Sequence, residues 1–275
     1  MVSVFDRGFA YGDSLIETLK ILRGLPVFFE EHFRRLESSM GLAGFDTTLD
    51  KEGLRNQALS LATANGVSRG RLRIQLTRGL PGSPGGLDPQ PDTPPTLLLT
   101  AEPFAGYPQE IYGKGISCTA VAANRGSLAR LKNASLLSTV IARREALAAG
   151  SQEAIFSSGH GRLLEGSLSN IFFLCGDRLL TAGGDQPVLP GITREKVIGI
   201  AGEMGIVISY EAPKPGELRS GRDAAFLTGS LLGICPVREI DGKELAMETG
   251  LTERLNQRLA ELELADIDSA GSQQG

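Results

Sequence analysis

Hydrophobic and polar residues alternate with a clear period in two early parts of the chain. The segment 71–76 alternates strictly between polar and apolar residues, which predicts a strand with one face in water. Between residues 30 and 42 the apolar residues keep helical spacing, and two glutamates fall in the first turn, where the helix dipole favours negative charge. The chain therefore begins with both strand and helix patterns.

The same patterns predict further elements along the whole chain. Predicted strands cover 14–21, 27–29, 96–100, 116–121, 153–157, 162–165, 170–174, 178–181, 207–210, 224–227 and 234–239. Predicted helices cover 49–64, 134–149, 190–204 and 249–264. The strands come in clusters between helices and do not follow strict βαβ alternation, which predicts an α+β fold.

Irregular segments suggest where the chain divides. From Gly79 to Pro95, ten of 17 residues are Gly or Pro, which predicts a long loop. The segment 103–115 mixes Pro, Gly and polar residues, and we place a domain boundary there. The prediction is a small N-terminal α/β domain, 1–107, and a larger C-terminal domain, 108–275. The polar tail 266–275 is expected to fray.

Composition narrows the class of protein. The chain has 275 residues, of which 41% are hydrophobic and 22% charged, as expected for a globular protein. The net charge is −4 and no run of basic residues occurs, so no nucleic-acid partner is expected. No apolar stretch approaches the roughly 18 to 20 residues that cross a bilayer, and residues 1–7 lack a signal-peptide core, so we expect a cytoplasmic protein without membrane contact.

Cysteine, histidine and glycine motifs exclude several kinds of site. Cys118, Cys175 and Cys235 are odd in number and far apart, which excludes a disulfide framework and a Cys-x-x-Cys zinc site. His32 and His160 are the only histidines, so we expect no metal. P-loop, Gly-x-Gly-x-x-Gly and Gly-x-Ser-x-Gly signatures are missing from the sequence. A cofactor other than a dinucleotide has to be considered.

Two residues suggest pyridoxal-phosphate (PLP) chemistry. The chain contains 7 lysines against 21 arginines, and Lys132 lies just before a predicted helix. A buried lysine amine can lose its proton and form a Schiff base, although a solvated lysine at a helix start is the alternative. Glu165, between two predicted strands, could bind a pyridine nitrogen, or it could serve only in a turn.

Three further segments could bind a phosphate group. Arg35 lies in a predicted helix, another helix begins at Ile192-Thr193, and Thr228-Gly229-Ser230 forms a short polar segment. Helix N-termini offer unpaired N–H groups, hydroxyls add hydrogen bonds, and an arginine can bind phosphate with two parallel bonds. Each segment also has an ordinary interpretation as a surface arginine, a helix cap or a turn.

The order and spacing of six motifs give the sequence a specific resemblance. The motifs are 6–13 (Asp-Arg-Gly-Phe-Ala-Tyr-Gly-Asp), 32–36, 130–132, 165–170, 189–194 and 228–237. In this order they resemble the fold-type IV PLP enzymes, the class IV aminotransferase family. That family includes branched-chain aminotransferases, D-amino acid aminotransferases and aminodeoxychorismate lyases.

The resemblance implies a two-domain α+β fold of the D-amino acid aminotransferase type, with PLP at the domain interface, and usually a homodimer. It implies that Lys132 carries the Schiff base and that Glu165 faces the pyridine nitrogen. The residues that it implies for phosphate binding are Arg35, Ile192, Thr193, Gly229 and Ser230, with the isoleucine and the glycine acting through backbone N–H groups.

Departures from the family's motifs bear on the reaction. D-amino acid aminotransferases have a tyrosine where this chain has Ile16, and an Arg-x-His pair that is missing after Thr77-Arg78-Gly79. Branched-chain enzymes have a tyrosine at the position of Leu137. These differences favour a lyase that releases pyruvate to give 4-aminobenzoate for folate synthesis. The alternatives are an aminotransferase acting on a small amino acid and a non-catalytic protein, against which the intact Lys132 and Glu165 argue.

Overall fold

The structure is a computed structural model that describes residues 2–81, 86–90, 93–122 and 126–272. The chain packs into two compact units. The first unit comprises Met1–Ala105, Leu131–Leu136 and Glu263–Gly275, and the second comprises Gly106–Arg130 and Leu137–Leu262. The sequence predicts domains at 1–107 and 108–275. The structure differs mainly because Leu131–Leu136 and Glu263–Gly275 belong to the first unit.

The first unit is an antiparallel sheet covered by helices. Its elements are α1 (Arg7–Tyr11), β1 (Ser14–Leu22), β2 (Leu25–Pro26), α2 (Phe29–Leu42), α3 (Lys51–Ala64), β3 (Arg69–Thr77) and β4 (Thr96–Pro103). The strand order is β2-β1-β3-β4. Alternate residues of β1 and β3 pack into one core with α2 and α3, because successive side chains of a strand point to opposite faces. This core includes Leu15, Leu19, Leu72 and Leu76.

The second unit contains a larger, mostly antiparallel sheet. Its elements are α4 (Glu110–Lys114), β5 (Ile116–Ala122), α5 (Leu137–Ala148), β6 (Glu153–Ser157), β7 (Leu163–Gly166), β8 (Asn170–Cys175), β9 (Arg178–Leu180), α6 (Ile192–Glu203), β10 (Val207–Ser209), β11 (Ala224–Gly229), β12 (Gly233–Ile240), β13 (Lys243–Glu244) and α7 (Thr249–Ser272). The order is β10-β9-β8-β11-β12-β5-β6-β7, and β13 pairs with β12. Because β7 also pairs with β8, the sheet curves round in a barrel-like form.

Helix α7 is longer than the sequence predicts. It continues to Ser272, and its residues from Glu263 onward belong to the first unit. Asp266 accepts a hydrogen bond from the Phe28 backbone N–H at 2.6 Å, and Ile267 is buried. The prediction of a frayed tail is therefore wrong for 266–272, because a carboxylate and an apolar side chain fix this turn. Residues 273–275 lie outside the described part of the chain.

Two local differences from the predicted elements also have physical causes. The helix predicted from residue 134 begins at Leu137, because Asn133 and Ala134 pair with β1. The strand predicted at 27–29 is wrong, since Phe28 has φ of +53° and directly precedes α2.

Within the described ranges, no helix is both long and apolar enough to span a membrane. The predicted α+β two-unit architecture is confirmed.

Candidate active site

Lys132 lies at the open edge of β1 in the first unit. Its carbonyl accepts the Ile16 N–H at 2.8 Å, and Leu15 forms an isolated antiparallel bridge with Asn133. The backbone is thus fixed at Lys132 itself and at the next residue, Asn133, while the lysine side chain is half-buried. The lysine that the sequence singles out is therefore held on a strand edge, ahead of α5.

Next to Ile16 along β1, Glu17 forms a buried ionic cluster with two residues of α2. Arg35 donates from Nε at 2.8 Å and from Nη2 at 2.7 Å to the two oxygens of Glu17. His32 Nδ1 lies 2.7 Å from Glu17 Oε2. Glu17 is only 1% exposed and His32 2%. We call these three residues the Glu17 cluster.

The charges within the Glu17 cluster follow from this geometry. Burial alone would raise the pKa of Glu17, but the Arg35 charge and the hydrogen bonds from Arg35 and His32 outweigh it and lower that pKa to about 2. The pKa of His32 lies below its usual value, chiefly because of burial, with the charges of Arg35 and Lys132 acting in the same direction. The cluster therefore pairs an ionised Glu17 with Arg35, beside a neutral imidazole at pH 7.

Glu165, in the second unit, is buried at the end of β7. Its Oε2 accepts the Leu189 backbone N–H at 3.0 Å and lies 3.4 Å from Asn170 Nδ2. Asn170 also donates to the Leu189 carbonyl at 3.0 Å. Asn170 lies so close to Gly191 that a Cβ on that glycine would be 1.9 Å from Asn170 Oδ1. The carboxylate is thus tied to the segment that leads into α6.

The start of α6 has the properties of an anion site. Gly191 precedes the helix and no side chain caps it, while Ile192 and Thr193 are buried in its first turn. Helix N-termini present backbone N–H groups and the positive end of the dipole. Arg194, in the same turn, donates to the Ala182 carbonyl at 2.8 Å, so this arginine anchors the helix.

Hydroxyl groups also lie at the end of β11, the strand that pairs with β8. Thr228 pairs with Asn170 in the β8–β11 ladder, and Gly229 and Ser230 follow in a half-buried turn. The hydroxyl oxygens of Thr228 and Ser169 are buried without a hydrogen-bond partner in the described part of the chain. A Cβ on Gly229 would lie 3.6 Å from Leu232 Cβ and 3.8 Å from the Leu168 carbonyl oxygen, which are ordinary contact distances.

These residues fit PLP. Buried hydroxyls that lack a partner among the described residues and an uncapped helix start suit a phosphate, and a fixed carboxylate such as Glu165 suits a ring nitrogen. In each unit the structure brings the predicted residues together: Arg35 and Lys132 with β1 in the first, and the other five around β7, β8, β11 and α6 in the second. Groups of these kinds on this fold are typical of the PLP-dependent enzymes of fold type IV.

Comparisons with known proteins agree with this class. The amino-transferase class IV model matches residues 14–240, and the chain belongs to this PLP-dependent family. A protein of Methanocaldococcus jannaschii, provisionally named branched-chain-amino-acid aminotransferase, is 33% identical over 246 residues, 88% of this chain and 83% of the other.

Two lyases are similar over almost the whole chain. Aminodeoxychorismate lyase of Bacillus subtilis is 27% identical over 278 residues, 97% of this chain and 91% of the other. The crystal structure of 4-amino-4-deoxychorismate lyase from Pseudomonas aeruginosa is 29% identical with a TM-score of 0.82, covering 95% of each chain. The family is therefore established, and the reaction is a separate question.

Sequence reasoning did not single out two further candidate residues of the first unit. Glu17 interrupts the apolar face of β1 formed by Leu15 and Leu19, and a carboxylate at such a position is a signal for a buried partner. Arg73 pairs with Thr18 in the β1–β3 ladder and so lies on the same face as Ile16.

Arg73 differs from the neighbouring arginine on its strand. Arg71 binds Glu102, whereas no ion pair joins Arg73 to another residue that the structure describes. Burial, and then the Arg71 charge, lower the pKa of Arg73. A half-buried cation of this kind can bind the carboxylate of a small-molecule substrate.

Proposed function

We propose that this enzyme is an aminodeoxychorismate lyase, which releases pyruvate and forms 4-aminobenzoate for folate synthesis. The observation that carries the proposal is Ile16, whose side chain is apolar and 5% exposed and whose backbone N–H donates to the Lys132 carbonyl. It occupies the strand position where the related D-amino acid aminotransferases have a tyrosine for the substrate carboxylate. An aliphatic side chain cannot hydrogen-bond a carboxylate, so the usual binding of a small amino acid is missing here.

In this proposal Lys132 moves the proton. When bound, PLP supplies an electron sink for charge that develops on the substrate carbon bearing the amine. Lys132 takes the proton from that carbon and returns it to the departing enolpyruvyl group, so one amine acts first as base and then as acid. Its backbone is held at the edge of β1, which limits the positions that the amine can take.

The other proposed residues hold and orient the cofactor. Glu165, fixed by Leu189 and Asn170, accepts a hydrogen bond from the protonated pyridine nitrogen. The phosphate is bound by the guanidinium of Arg35, by the backbone N–H groups of Ile192 and Gly229, and by the hydroxyls of Thr193 and Ser230. Arg73 binds a substrate carboxylate.

An aminotransferase acting on a small amino acid is the second candidate. The 33% identity to the provisionally named branched-chain aminotransferase favours it, and Lys132 and Glu165 serve both reactions. The presence of Arg73 does not distinguish the lyase from the aminotransferase, since the substrates of both carry carboxylates.

One experiment separates the two reactions. Purified enzyme receives aminodeoxychorismate in one vessel, and a panel of L- and D-amino acids with 2-oxoglutarate or pyruvate in another. We expect 4-aminobenzoate and pyruvate in the first vessel and slow amino-group transfer in the second. Fast transfer with no 4-aminobenzoate would establish the aminotransferase instead.

We further propose a cytoplasmic homodimer. The three cysteines are free thiols, as in proteins of reducing compartments. Helix α5 exposes an apolar face formed by Leu137, Val140, Ile141 and Leu147, which fits a second copy of the chain. The molar mass in solution, measured by light scattering, tests this: twice 29.1 kDa supports a dimer, and 29.1 kDa excludes it.

A further inference from the structure

Two glutamates of the first unit each bind two basic or imidazole groups, yet their surroundings differ. Glu17 lies on β1 and is buried in its cluster with Arg35 and His32. Glu30 lies on α2 and binds Lys51 at 3.1 Å and Arg55 at 2.5 Å, with a side chain that is 43% exposed. The exposed cluster is an ordinary surface network, whereas the buried one requires a reason.

The hydrogen bonds of Glu17 fix the orientation of one guanidinium group. A guanidinium is planar, with five donors in a rigid fork. Glu17 occupies the edge formed by Nε and Nη2 with two nearly parallel bonds, which sets the plane of Arg35 and the direction of Nη1. His32 binds Oε2, so the carboxylate itself cannot rotate away from Arg35.

We infer that Glu17 is a positioning residue for the phosphate of PLP: it holds Arg35 so that the outer edge of the guanidinium meets the phosphate. The inference rests on the proposed binding of phosphate by Arg35. An arginine held by its inner edge loses little side-chain freedom when a ligand binds its outer edge, and this raises affinity without a new contact to the ligand. His32 acts one step further away, because it fixes Glu17.

The test compares PLP with pyridoxal, which lacks the phosphate. Dissociation constants of both compounds are measured on the apoenzyme by absorption titration for the wild type, Glu17→Gln, Arg35→Ala and the matched control Glu30→Gln. We expect Glu17→Gln to reduce the preference for PLP over pyridoxal on the order of tenfold. Arg35→Ala should reduce it at least as much, and Glu30→Gln should leave it unchanged.

The pyridoxal arm separates positioning from general support of the fold. If Glu17→Gln weakens PLP and pyridoxal equally, its role is only structural and the inference is overturned. If Arg35→Ala reduces the preference while Glu17→Gln does not, Arg35 binds phosphate without help from Glu17, and only this inference fails. If neither variant changes the preference, the assignment of Arg35 in the proposed function fails as well.

A second variant and a second probe cover the case in which Glu17→Gln folds poorly. Glu17→Asp keeps the charge but shortens the side chain by one methylene, so we expect a preference between those of wild type and Arg35→Ala. Inorganic phosphate should raise the melting temperature of wild-type apoenzyme and of Glu30→Gln, and raise it less in Glu17→Asp. Equal shifts in all three proteins would contradict the inference.

Discussion

The two parts of the candidate site differ in how far the protein satisfies its own polar groups. In the first unit, Arg35 is bound by Glu17, which also binds His32, all of them buried or nearly so. In the second unit, the buried hydroxyls of Ser169 and Thr228 have no partner among the described residues, and α6 begins without a side-chain cap. Folding already pairs Glu17 with Arg35 and His32, whereas the second set keeps polar groups that a ligand could bind.

This difference has energetic consequences. A buried ion pair is stable only as a set, because loss of one partner leaves an uncompensated charge in the interior. A buried hydroxyl without a partner costs free energy until a ligand supplies a bond. Changes in the first set should therefore affect folding, and changes in the second should mainly affect the gain in stability on binding PLP.

The largest effect is expected at Lys132, the proposed reacting group, which lies beside the first set. Lys132→Ala should abolish the visible chromophore that borohydride reduces, and lower turnover at least about a hundredfold, because the covalent link and the proton carrier are both lost. Absorption spectra and mass spectrometry of the reduced protein measure this.

The matched control is Lys114→Ala. Lys114 is exposed and binds Glu110, so its loss should change neither spectrum nor turnover. Borohydride labelling of Lys114 in place of Lys132 would refute the assignment.

The next largest effect is expected on folding, at Glu17. Glu17→Gln should lower the free energy of unfolding by about 3 to 5 kcal/mol, since Arg35 would lose its buried partner. The exposed Glu30→Gln should change it by less than about 1 kcal/mol. Urea titrations at pH 7 provide both values, and equal values would remove the contrast between the buried and the exposed cluster.

The same variant has a defined pH dependence. The pKa of Glu17 is lowered from 4.5 to about 2, so its stabilisation is fully present above 4.5 and is lost as the pH falls towards 2. The difference in unfolding free energy between wild type and Glu17→Gln should therefore shrink as the pH falls through this window. A constant difference would show that the carboxylate does not titrate as described.

The sequence predicts most of the fold but only part of the site. Strict alternation over 71–76 and helical spacing over 30–42 predict β3 and α2, because local burial patterns determine them. The prediction of Lys132, Glu165 and the phosphate-binding residues depends on ordered motifs, and their roles in this chain stay predictions.

What the sequence does not reveal depends on long-range pairing. Glu17 and Arg35 are 18 residues apart, and only the packing of α2 on β1 brings their side chains together. The extension of α7 depends on Asp266 meeting Phe28, 238 residues away in the chain. Periodicity within one element contains no information on such partners.

A smaller effect is expected at Gly191, which connects Glu165 with α6. Gly191→Ala would bring a Cβ within 1.9 Å of Asn170 Oδ1, and we expect a loss of about 1 to 3 kcal/mol in stability with weaker PLP absorbance. Gly199→Ala, in the same helix, meets nothing within 4 Å and should stabilise by about 0.5 to 1 kcal/mol. Thermal melts of both variants measure this, and a tolerated Gly191→Ala would contradict the close approach.

The smallest effect is expected at the hydroxyls that have no partner. Thr228→Val and Ser169→Ala remove groups that the folded chain does not satisfy, so the apoenzyme should keep its melting temperature or gain stability by up to about 1 kcal/mol. The increase in melting temperature on adding PLP should become smaller, because the bond that a ligand supplies is lost. Ser117→Ala is the matched control, since its hydroxyl is also buried without a described partner but lies on β5. It should change the apoenzyme in the same way and leave the shift with PLP intact. An equal loss of that shift in all three variants would mean that Ser169 and Thr228 have no particular part in binding.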